Sequence, residues 1–187
     1  FELVTQDLPE KRAVLQSPVR VLVMAPQSEA AEERQHHLTD LVALLGHPEP
    51  EFFQVVKSRS ELLRVTPSFP ADVVYVLGTG HMKQGQVALM LDGGEPLSLS
   101  ELRQALRGHF PQVLFLSGGP SEMEPLWLSA PRSLLPEIPL IVVGRGGPYQ
   151  PCAPMLAVQF LKQFLGERQD PALALSQLAS PLAIPES

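Results

Sequence analysis

Two apolar segments constrain the fold of this chain more than anything else in it: Asp72-Val-Val-Tyr-Val-Leu-Gly-Thr-Gly-His81 and Pro111-Gln-Val-Leu-Phe-Leu-Ser-Gly-Gly119. Each reads as a strand buried on both faces, because apolar residues follow one another without the polar alternation of a half-solvated strand. Each then runs into small, flexible residues. In open α/β sheets, ligands and chemistry gather at the carboxyl ends of such strands. His81 closes the first segment. Gly119 closes the second.

The rest of the chain supplies the frame for these two strands. Val19–Ala25 is a further apolar strand, 51–57 a shorter one, and Leu140–Val143 another. Leu38, Leu41, Val42 and Leu45 repeat at helical spacing, so a helix is predicted over 28–45, ended by Gly46 and Pro48. A short helix is predicted over 60–65 with Ser60 as its cap. Residues 82–97 are predicted to form a hairpin around the turn Asp92-Gly-Gly94. Ser98-Leu-Ser-Glu101 has the pattern of a capping box opening a helix to about Arg107. Helices are also predicted over 155–165 and 171–179. This alternation implies an α/β fold: a mostly parallel sheet with helices on both faces and right-handed crossovers. The expected order across the sheet is the 51–57 strand, then 19–25, 72–77, 111–119 and 140–143.

Composition narrows the function classes. Apolar residues make up 44% and charged residues 18% of 187, enough to bury one core. Residues 1–18 are read as an arm or linker, 19–179 as the folded domain, and 180–187 as a tail. The 14 Lys and Arg against 20 Asp and Glu leave a net charge of −6, the wrong sign for a nucleic-acid partner. No apolar run reaches the roughly 20 residues of a membrane span, so no membrane partner is expected. Cys152 is the single cysteine and cannot form an internal disulfide, which fits a cytoplasmic location. The chain begins at Phe1 rather than Met, and is expected to be part of a larger multidomain protein.

The order of these pieces resembles the CHAT domain, a caspase-like cysteine protease domain related to separase. Gly80-His81 matches its Gly-His-Gly motif, with Met82 in place of the second Gly. Val87–Gly93 resembles the hairpin that follows, and Leu97-Ser-Leu-Ser-Glu-Leu102 the helix start after it. The 111–119 segment lies on the strand that ends in Asn-Ala-Cys in the family, placing Ser117 at the Asn and Gly119 at the nucleophile. Ile141–Gly144, Ala153–Gly166 and Ala172–Ala179 resemble the last strand and helices. The likeness spans about residues 19–179. It implies a caspase-like three-layer sandwich, of the kind found in bacterial multidomain systems. It also implies a site in which the His acts beside a Cys thiolate that attacks a peptide carbonyl.

Here that thiolate has no counterpart, since glycine carries no nucleophile. The implied role is a catalytically inactive domain that binds a protein or peptide, or serves as a scaffold. Its cleft would be formed by Gly80, His81, Ser117, Gly118, Gly119 and Arg145. An active peptidase with a relocated nucleophile, Cys152 or Ser121, is the alternative from a different class. A small-ligand sensor using the glycine-rich edge, with Arg145 as its cation, is a third. Neither GxGxxG after the first strand nor a Walker-type Lys appears, and no cofactor is expected. Glu33 and His37 stand four apart on one predicted helix, a spacing that can hold a metal. No third ligand accompanies them, so they are read as a solvated helix face and no metal is expected. Trp127 reads equally as core or as an exposed anchor.

Overall fold

The computed structural model describes residues 2–5, 18–25, 31–45, 49–77, 80–83, 86–90, 96–116, 130–131, 133–143 and 158–166. Its centre is a strand with no polar face. β4 (Val73–Val76) is buried along its whole length, and so are β2 (Val21–Met24), β8 (Val113–Leu116) and β9 (Leu140–Val143). A strand buried on both faces needs a paired strand on each side and a layer above and below. Both conditions are met. β2 and β8 flank β4, β9 follows β8, and β3 (Phe53–Val56) lies outside β2, all five parallel. The order β3-β2-β4-β8-β9 is the one the sequence pattern implies. One strand was not foreseen. Within the arm expected over 1–18, β1 (Glu2–Thr5) pairs antiparallel with β9 and extends the sheet on that side.

Asp72 pins the register at the amino edge. Its carboxylate accepts a hydrogen bond from the Arg20 N–H at 2.9 Å. Its own N–H donates to the Arg20 carbonyl, and its carbonyl accepts from Gln112 and Val113. One residue thus ties together the starts of β2, β4 and β8.

Two apolar layers cover the sheet. On one face, Leu22, Met24, Val74, Val76, Leu114 and Leu116 pack under α2 (Arg59–Val65) and α3 (Leu99–Ala105). On the other, Val23, Val73, Tyr75 and Phe115 pack under α1 (Ala31–Leu44) and the last helical segment, whose final turn, Lys162–Gly166, is π-helical. The fold is therefore an α/β sandwich of three layers. Among the five parallel strands, the connection that moves toward the β3 edge, from β2 to β3, carries α1 on one face. Those that move the other way carry α2 and α3 on the opposite face. A change of face with each change of direction is what right-handed crossovers require.

A second sheet sits on the α2–α3 side. β5 (Gly80–Lys83), β6 (Gln86–Met90) and β7 (Pro96–Ser98) form an antiparallel meander in that order. Val87 and Leu89 of β6 join the core beneath. The predicted hairpin is thus a three-stranded sheet, with the Asp92–Gly94 turn outside the described residues. The capping box forms as expected: the Ser98 Oγ accepts from the Glu101 N–H, and the Glu101 carboxylate accepts from the Ser98 N–H. The cap of α2 is Ser58 rather than Ser60. The helix starts one residue earlier than predicted, and Ser60 instead bonds the Ser58 hydroxyl at 3.1 Å.

Burial gives these helices different sensitivities. Leu102 is fully buried, whereas Leu63 of α2 is 49% exposed. Leu102→Ala should cost about 2–5 kcal/mol of unfolding free energy in urea titrations. Leu63→Ala should stay within about 0.5 kcal/mol of the parent.

Candidate functional site

Register decides which residues can meet. Met24, Val56, Val76, Leu116 and Val143 stand side by side across the parallel sheet. They form one carboxyl edge, and every segment that follows them in the chain departs from that edge. In the chain His81 comes five positions after Val76 and Gly119 three after Leu116, and Val76 and Leu116 are paired across β4 and β8.

The sequence placed His81 at the end of the 72–77 strand. Instead β4 ends at Val76, and His81 is the second residue of β5, opposite Ala88 in the small sheet. In the sequence Gly78-Thr-Gly80 interrupts the apolar run between the two strands, a punctuation that a smooth reading of the segment merges. Gly80 is the first residue of β5. Ser117, Gly118, Gly119, Ser121, Trp127, Arg145 and Cys152 lie outside the described residues.

Around this edge the described side chains form a tie between helix starts. Arg59, at the start of α2, reaches Glu101 at 2.7 Å. The same carboxylate accepts from the Ser98 N–H and hydroxyl, each at 2.9 Å. The end of β7 and the starts of α2 and α3 are thereby bound through one carboxylate. Further along α3, the Arg103 guanidinium pairs with Glu137, which precedes β9. The pair holds the Glu137 carboxyl below its ordinary range, chiefly through their hydrogen bond.

Among the described residues, a deeply buried polar pair lies on the other face. His37 of α1 is only 3% exposed, and its Nε2 shares a 2.7 Å hydrogen bond with the Tyr75 hydroxyl of β4. This overturns the reading of His37 as part of a solvated face. His36 beside it is exposed and lies 3.7 Å from Asp40. Among the described residues no group of three metal-ligating side chains occurs. Burial pushes the His37 pKa down to about 4, with Asp40 opposing the shift, and raises that of Tyr75. Both groups are neutral at pH 7. The pair is a structural lock rather than an acid–base couple, since neither member's pKa lies near neutrality.

An aromatic row continues from it. Tyr75 meets Phe115 edge-on at 5.2 Å, Phe115 meets Phe160 at 5.7 Å, and Phe160 stacks on Phe164 at 5.6 Å. The row joins α1, two central strands and the last helical segment. The sequence held a signal for it. His37 stands four before Leu41, on the apolar stripe of α1, and a tyrosine inside an otherwise apolar strand needs a partner for its hydroxyl.

The chain matches no protein-family model and no curated protein. Among the described residues, no helix is long and apolar enough to cross a membrane.

The lowered pKa of His37 sets the sign of a pH dependence. The unfolded chain binds a proton there near pH 6.5, and the folded chain only near 4. Acid therefore favours unfolding: the contribution is complete above pH 6.5 and is lost as pH falls toward 4, by at most about 3 kcal/mol. Urea titrations across that window should show the slope, and His37→Gln should remove it. Tyr75→Phe leaves a buried ring nitrogen without its partner and should cost about 1–3 kcal/mol at pH 7.

Proposed function

We propose that this chain is a degenerate CHAT-like domain, without peptidase activity, that binds an extended protein or peptide segment or serves as a scaffold. The observation that carries the reading is the pairing of β4 with β8 in register. The two strands that precede the His81 and Gly119 segments in the chain are thus neighbours, which is compatible with the strand order a Cys–His protease of this layout would use. With glycine at 119, the nucleophile is gone while the frame persists. The placement of β5 at the rim of the small sheet adds support, since among the described residues it pairs only with β6. An edge strand offers unpaired N–H and C=O groups to an extended peptide, and main-chain bonds supply the affinity. The acidic balance argues for a protein rather than a nucleic-acid partner. The lone cysteine accords with a cytoplasmic setting, as one domain of a larger bacterial protein.

Two measurements test this. The purified protein should cleave no peptide in a library varied at P1. Cleavage lost in Cys152→Ala or Ser121→Ala would replace the reading with an enzyme whose nucleophile has moved. A thiol introduced by Gly119→Cys should be acidified by His81, because a neighbouring imidazolium favours the thiolate. Its alkylation-rate profile should give a pKa below the ordinary value of about 8.5, returning toward it when His81→Ala is added. An ordinary pKa that ignores His81 would mean the two positions never formed a dyad.

A further inference from the structure

The two edges of the main sheet are finished differently. Beyond β9 lies β1. Among the described residues nothing pairs with the outer side of β3. The hydrogen bonds show which backbone groups face outward. Phe52 and Val56 give their carbonyls to the N–H groups of Val21 and Ala25. In a parallel strand the residues that bond the neighbour alternate with those that face away, so Phe53 and Val55 point their backbone groups off the sheet. The Phe53 N–H turns back to the Glu49 carbonyl at 3.2 Å. The Phe53 carbonyl and both backbone groups of Val55 remain for a partner. The side chains of Phe53 and Val55 are only partly buried against the α1-side core.

The ends of this strand carry opposite charge. Glu49 and Glu51 precede it and Lys57 follows it, all exposed. We propose that the outer edge of β3 pairs antiparallel with β3 of a second copy of this chain, about a two-fold axis at Gln54. Three features select that arrangement. An axis at Gln54 sets Phe53 opposite Val55 of the other copy. Both are outward-facing, as a hydrogen-bonded antiparallel pair demands, so each Val55 N–H donates to a Phe53 carbonyl. The same axis brings Glu51 to the other copy's Lys57 at each end, whereas parallel stacking would set like against like. The half-buried Phe53 and Val55 side chains then cover each other. A two-fold contact of this kind is self-limiting and closes at the dimer. The strand is short, so the dimer is a weak one, formed at high protein concentration.

Sedimentation velocity of the 187-residue chain, up to about 1 mM, tests this, since an association weaker than millimolar has no specific contact to explain. A concentration-dependent dimer is expected. Val55→Pro removes the outward N–H without touching the bonds to β2, and should abolish it. Circular dichroism would check that this variant is folded. Lys57→Glu sets like charges at both ends and should weaken the dimer about tenfold. The double variant Glu51→Lys with Lys57→Glu restores opposite charges and should restore the affinity. A chain that stays monomeric, whether its edge is bare or covered by another of its own segments, overturns the proposal. So does a dimer indifferent to Val55→Pro or Lys57→Glu, or one that the charge exchange fails to rescue.

Discussion

The structure depends on the complete burial of β4. A strand that touches water on neither face can be stable only if every backbone group is paired and both side-chain rows meet apolar neighbours. β2 and β8 satisfy the first need. The two core layers satisfy the second. Because Asp72 fixes the starts of all three strands, their ends are fixed as well, and the carboxyl edge follows. A slip of one residue would move Tyr75 from the α1 side to the opposite face and strand its hydroxyl there. The His37–Tyr75 bond therefore works as a register key. It adds little net energy when made, but it makes the wrong register costly, since an unpaired buried polar group loses its hydration with no return.

The fold was legible where sequence pattern and burial coincide. Runs such as Val73–Val76 and Leu140–Val143 leave only one strand type open to them, and the helical spacing of Leu38, Leu41 and Leu45 leaves only one kind of connection. The order across the sheet then follows from the preference for right-handed crossovers. What was missed is what pattern does not carry. Glu2–Thr5 is too short and mixed to announce itself, and it becomes a strand only because β9 offers an edge. His37 looks polar in a list of residues, yet it lies on the apolar stripe of its helix. The split of the His81 segment into β4 and β5 falls after Val76, where the apolar run gives way to Gly78-Thr-Gly80 and periodicity is silent.

The candidate site was legible in outline rather than in atoms. The adjacency of β4 and β8, the strands that precede the His81 and Gly119 segments, follows from βα alternation. Under the proposed CHAT-like reading, the chemistry of the edge would turn on single residues: a glycine for a cysteine at 119, a methionine for a glycine at 82. Differences of that kind leave hydrophobic periodicity untouched, so a fold can be read from pattern where an activity cannot.

The two faces of the sheet are built on different principles, and that bears on where a partner can dock. The α1 face is closed by aromatic packing and a dry hydrogen bond, interactions that lose much when loosened. The opposite face carries two helices of seven residues each and the small sheet. The ion pairs Arg59–Glu101 and Arg103–Glu137 bind its parts together, and all four side chains are partly solvent-exposed. Exposed pairs contribute little individually and weaken with salt. Short helices likewise draw most of their stability from the surface they cover. The layer that carries His81 is therefore the one that can shift at modest cost. The sheet and its aromatic face stay fixed beneath it, a division that the proposed binding of a partner segment would use.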